Sequence, residues 1–158
     1  RAGSGGIGPD IVPDAYATVW DKLRLNDIPF VGLRDNPWVF SREGEHMDPN
    51  ECLLANNTMK DCSTLRSTVY APTNPAEKYL SSADKQWTVD TADWFCEETY
   101  CPPIIGNIYV YRDQNHISNA YAESTAPVMW QNLQPIFDAL DLPYRNEETL
   151  EDLQIIEG

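Results

Sequence analysis

The feature that most constrains the fold is a junction near the start of the chain, where "VPDAYATVWDKLRLND" is followed at once by "IPFVGLRDNPW". The first stretch opens with a proline and an acid and carries Tyr16, Val19, Trp20 and Leu23 at helical spacing. That pattern predicts an amphipathic helix over residues 14–25. In the second stretch Ile28, Phe30, Val31 and Leu33 are too continuous for a strand with one wet face. A strand over residues 28–34, buried on both faces as in a parallel sheet, is expected. Helix, short turn and buried strand together commit the chain to a layered α/β architecture.

The rest of the chain is less regular. Residues 41–88 are polar and proline-bearing and read as a long excursion, with short helices near "NECLLANN" and "NPAEKYLSSADKQW". "WTVDTADWF" predicts a strand at 88–90 running into a loop, and "CPPIIGNIYVYRD" a further strand at 107–111 with its tyrosines over the sheet. Ser118 is a candidate N-cap for a final helix over 119–140, which puts Val128, Met129, Leu133, Ile136, Phe137 and Leu140 on one stripe. Pro127 and Pro135 are expected to kink or divide it. Residues 1–140 read as one domain, and 141–158 as an acidic tail in which Leu150, Leu153 and Ile156 suggest a short docked helix.

Charge and cysteine content narrow the partners. A formal charge of −14 repels nucleic-acid backbones and anionic membrane surfaces, so no nucleic-acid partner is expected. No apolar run approaches the roughly 20 residues that span a bilayer. The opening "RAGSGGIGPD" begins with Arg rather than Met and reads as a loop entered from further upstream, which suggests a piece of a larger protein. The four cysteines fall into two local groups without the spacing of a zinc knuckle. Cys52 with Cys62 and Cys96 with Cys101 is the simplest pairing and would imply an oxidising compartment; four free thiols are the other reading.

The chemistry-bearing stretch is "IYVYRDQNHISNAYA". Asp113 and His116 stand three apart after a predicted strand, where α/β sheets collect their functional residues. A carboxylate at that spacing can hold an imidazole in one tautomer, as at the base end of a hydrolytic triad. In so acidic a chain the pattern is also a cheap coincidence. His46, in "REGEHMDP", reads as a solvated surface residue. Asn36, in "LRDNPW", is a candidate oxyanion-hole donor, where one well-aimed group is worth about 3 kcal/mol, or an Asx-turn residue before Pro37. Arg34 and Arg112 are candidates to anchor an anionic or sugar-bearing acceptor, with plain salt bridges as the alternative. Trp38 and Trp94 suit either sugar stacking or packing.

"IPFVGLRDNPW", then "ECL" and "DC", then "DWFC…CPPIIGNIYVYRDQNHISNAYAESTAPVM" resemble the C-terminal part of the SGNH-type domain of actinobacterial membrane acyltransferases, from about residue 3 to residue 133. The resemblance implies a flavodoxin-like three-layer α/β/α fold, incomplete at its N-terminus, outside the cytoplasmic membrane. It implies transfer or hydrolysis of acyl groups, commonly acetyl, on a cell-envelope glycan or glycolipid acceptor, beside an integral-membrane acyltransferase domain. Asp113 and His116 become the family's Asp-x-x-His block, and the chemistry needs no metal or organic cofactor. The family's Gly-Asp-Ser block is missing from the 158 residues. Ser4 sits in no G-x-S-x-G elbow, and Ser118 is better explained as a cap. The nucleophile is therefore expected upstream, or else the chain is a degenerate relative that serves as a glycan- or partner-binding module.

Overall fold

Phe30–Leu33 (β1) runs parallel to Gln86–Val89 (β3) in register Phe30 to Gln86, Val31 to Trp87, Gly32 to Thr88 and Leu33 to Val89. The computed structural model in which this pair is seen describes residues 7–144. Ser4 and the expected tail helix at Leu150, Leu153 and Ile156 lie outside the described residues. The parallel pairing is as expected, but β3 starts two residues earlier than the sequence suggested. β1 is only half-buried, and Leu33 is 52% exposed. The expectation of burial on both faces fails because, among the described residues, this sheet has two strands.

The helix before β1 spans Asp14–Leu25 (α1), as its periodicity predicted. Trp20 anchors it, with its ring stacked on Phe30 and edge-on to Tyr79. Tyr16 and Val19 stay exposed.

The polar excursion contains Pro49–Leu54 (α2), Thr64–Leu65 (β2) and Arg66–Val69 (α3). Asp48 caps α2 by accepting from the Asn50 and Glu51 N–H groups, and Pro49 supplies a first helical position that needs no N–H donor. The second expected helix, in "NPAEKYLSSADKQW", is absent. Asn74 and Ser81 take neighbouring N–H groups onto their side chains and turn the chain, leaving one 3-10 turn at Ser82–Asp84. The disulfides are Cys52–Cys62 and Cys96–Cys101, the simplest of the pairings considered.

Ala92–Phe95 (α4) follows β3, and Tyr100–Cys101 (β4) pairs antiparallel with β2. The expected strand at 107–111 is instead a hairpin, Ile104–Ile105 (β5) with Ile108–Tyr109 (β6). Gly106 and Asn107 both have positive φ, 56° and 64°, which is the two-residue turn that matches strand twist. Tyr109 points to solvent, and Tyr111 is buried in the core rather than laid over the sheet.

That core gathers Val39, Phe40, Val69, Tyr70, Phe95 and Tyr111 among others, and its buried members include no residue of β1 or β3. Thr64 ties it together, its hydroxyl donating to the Phe40 carbonyl and accepting from the Phe40 N–H.

Asn119–Ala139 (α5) is continuous through both prolines, so they do not divide it. Each removes one backbone bond, and the neighbouring turns carry the helix across. Ser118 caps it by accepting from the Tyr121 N–H at 3.1 Å. The chain divides into two compact units between Thr125 and Ala126. In the second unit the predicted stripe is the least exposed face, and Trp130, Phe137 and Tyr144 form an edge-to-face cluster. Asp141, with φ 53°, ends that helix, while the Leu142 N–H reaches back to the Phe137 carbonyl.

Candidate active site

Asp113 and His116 occupy a tight turn whose stem is closed by two backbone contacts. The Arg112 N–H donates to the His116 carbonyl at 2.8 Å, and the Ser118 N–H to the Val110 carbonyl at 2.8 Å. Within the turn, Asp113 Oδ1 accepts from the Asn115 N–H at 3.0 Å and the His116 N–H at 2.8 Å. The imidazole Nδ1 of His116 lies 2.8 Å from Asp113 Oδ2 and 3.0 Å from Oδ1. The carboxylate is held at a pKa of about 2. The Asn115 N–H is the largest cause, then the His116 N–H, then the imidazole. A carboxylate accepts only, so Nδ1 carries a proton and donates; in the neutral imidazole that tautomer leaves the lone pair on Nε2. The side chains are 61% exposed for His116 and 39% for Asp113, so Nε2 is open to a reacting group.

Two other segments hold this turn in place. Asn36 Nδ2 donates to the Asn115 carbonyl at 2.8 Å, and the Val39 N–H donates to the Gln114 carbonyl at 2.8 Å. From α2, Asn50 Nδ2 reaches the carbonyls of Tyr111 at 3.2 Å and Arg112 at 3.3 Å. Asn50 was not singled out in the sequence. Its only signal is its place in "DPNEC" at a helix start, which says nothing about a clamp 61 positions away.

The other predicted residues separate into distinct roles. Asn36 was expected as an oxyanion donor, yet its amide nitrogen is directed at the carbonyls of Asn115 and, at 3.4 Å, Pro37. The Asn115 contact positions the turn. Arg34 was expected to meet an acceptor, but its side chain is 2% exposed. Its guanidinium forks onto Asp10 at 2.7 and 2.9 Å and also reaches Asp90 at 2.9 Å and the Ala71 carbonyl at 2.7 Å. It lies over the Tyr70 ring. With its donors committed inside the protein, Arg34 is a structural cross-link between the strand ends. Trp38 is half-buried with its ring 5.2 Å from that of His46, which also rests on Phe40. Trp94 packs against the core, and its carbonyl accepts from the Tyr121 hydroxyl. Ser118 Oγ is engaged with the Tyr109 carbonyl and the Tyr121 N–H, as a cap should be. Arg112 is exposed and lines a groove with Asn50, Leu53, Leu54, Tyr109 and Tyr111.

The arrangement brings an imidazole nitrogen into contact with a carboxylate on an exposed turn. Among the described residues no hydroxyl or thiol is bonded to His116, and no group of three His, Cys, Asp or Glu side chains could hold a metal. No helix among them is long and apolar enough to cross a membrane.

No curated protein and no solved structure matches the chain. A family profile described as "SGNH domain (fused to AT3 domains)" matches residues 5–131, about four fifths of the chain, and takes in β1, β3 and the turn carrying Asp113 and His116. The chain belongs to that family of SGNH domains.

Proposed function

We propose that this chain supplies the base half of a Ser-His-Asp acyltransferase or esterase, acting outside the cytoplasm on O-acyl groups of cell-envelope glycans or glycolipids. The acyl group is acetyl in this reading, and the serine comes from a Gly-Asp-Ser block that the chain does not contain. The observation that carries the reading is the contact between a strongly anionic Asp113 and Nδ1 of His116. Two disulfides support an extracytoplasmic setting. Fusion of the family's domain to AT3 domains supports a membrane acyltransferase as the covalent neighbour. The parallel pair of β1 and β3 is then part of a three-layer α/β/α sheet.

The serine hydroxyl attacks the acyl carbonyl and gives its proton to Nε2 of His116. Asp113 stabilises the imidazolium through Nδ1, and backbone amides bind the oxyanion. Collapse expels the leaving alkoxide, which takes the proton from Nε2 and leaves an acyl-enzyme. An acceptor hydroxyl, or water, then loses its proton to His116 and attacks the acyl carbon, and collapse breaks the acyl–serine bond as the serine oxygen takes that proton back from Nε2.

The test is aryl-acetate hydrolysis by the isolated chain and by a longer form that includes the upstream block. The isolated chain is expected to be almost inactive and the longer form active, with His116→Ala removing most of that activity. Full activity in the His116→Ala long form would sink the catalytic reading and favour a glycan- or partner-binding module.

A further inference from the structure

Arginines in this protein find carboxylates. Arg24, Arg42 and Arg66 pair with Asp21, Asp61 and Asp93, and Arg34 pairs with both Asp10 and Asp90. Arg112 is the exception among the described arginines: it is exposed and makes no ion pair, in a chain with 25 acidic residues. It lines an open groove of about 480 Å³. The walls are Leu53 and Leu54 of α2, and Tyr109 and Tyr111 on the approach to the turn. Leu54 is 82% exposed and Tyr109 53%, so apolar surface and an aromatic face are presented to solvent side by side. Arg112 is the residue before Asp113, and its N–H is bonded to the His116 carbonyl. The groove therefore leads into the same turn that carries Asp113 and His116.

We infer that this groove is the acceptor subsite and takes a saccharide bearing a carboxylate or a phosphate, with the sugar face on Tyr109 and the anion on Arg112. The inference rests on the reaction proposed above and names its substrate class. An aromatic face suits the C–H face of a sugar ring, and the planar fork of arginine matches the paired oxygens of a carboxylate or phosphate. The net charge of −14 repels anions at range, but salt screens that field beyond about 8 Å, and the direct contact remains.

The experiment is an amide and arginine-side-chain NMR titration of the chain with cellobiouronate, cellobiose 6-phosphate and uncharged cellobiose. At least one anionic sugar is expected to shift Leu53, Tyr109 and Arg112, with cellobiose about fivefold weaker, the upper end for an exposed ion pair. A response to the uronate alone or to the phosphate alone identifies the anion. Arg112→Ala should reduce the anionic sugar to the level of cellobiose, Arg112→Lys should retain part of the difference, and His116→Ala should leave binding intact. Equal affinity for charged and uncharged sugars, shifts confined to other surfaces, or no shift up to the solubility limit overturns the subsite. An active His116→Ala long form with groove binding preserved defeats the reaction alone. An essential His116 with an unresponsive groove defeats the subsite alone.

Discussion

Asn36 donates its side-chain amide to the carbonyl of Asn115 at 2.8 Å, across 79 positions of sequence. The contact joins the end of the first parallel strand to the turn that carries Asp113 and His116. The precision of the acid-base pair therefore depends on a residue that touches neither member of it.

Asn36→Ala should cost about 1 kcal/mol of stability, the usual value for one partly buried hydrogen bond. Its larger effect is local. Hydrogen exchange at the Asn115 and His116 amides should speed up, and in a longer form carrying the proposed serine block turnover should fall more than the Michaelis constant rises. Unchanged exchange in that turn would show that the Val39 and Asn50 contacts hold it without Asn36.

Asp113 should titrate near pH 2, well below the ordinary aspartate value of about 3.9. A group depressed in the folded state adds stability above its unfolded value, and that stability is lost as pH falls through the folded value. The window is therefore from about pH 4 down to about pH 2, and the turn should be insensitive to Asp113 at neutral pH. Carboxyl NMR titration checks this, with a midpoint near 4 as the contrary result. Asp113→Asn should lower turnover of the long form by up to about 10⁴-fold, because a neutral amide no longer fixes the tautomer.

Arg34→Met should destabilise the chain by about 3 to 5 kcal/mol, since it leaves the buried Asp10 carboxylate without its partner. Adding Asp10→Leu should recover much of that loss, because two apolar groups leave no buried charge. Denaturant unfolding of the single and double variants gives the comparison. A double variant no more stable than the single would mean that the Asp10 contacts to backbone, such as the 2.6 Å bond from the Ala71 N–H, dominate.

Peptide mapping without reduction should recover Cys52 linked to Cys62 and Cys96 linked to Cys101. Opening the first link, which spans 10 positions, should cost about 2 to 3 kcal/mol of stability. Protein from its native compartment with four free thiols would contradict both the pairing and the proposed location.

What the sequence by itself determined is local. The helix over Asp14–Leu25, the Ser118 cap, the stripe along the last helix and the approach of Asp113 to His116 all follow from residues within a turn or two of each other. At that range, backbone geometry sets which side chains meet. The Gly106-Asn107 turn is equally local but hidden in the sequence, because a run of apolar residues on both sides of it reads as one strand. Tertiary structure decided the rest. Arg34 in "GLRDNPW" reads alike as a ligand for an acceptor or as a cross-link, and only the arrival of Asp10 and Asp90, 24 and 56 positions away, commits its guanidinium to the interior. Arg112 has the same charge and the same acid-rich background, but the fold brings it no carboxylate and sets it beside Leu53 and Tyr109. The physical reason is that a charged side chain takes its role from whatever shares its surroundings after folding. Partners dozens of residues apart leave no periodic trace in the chain.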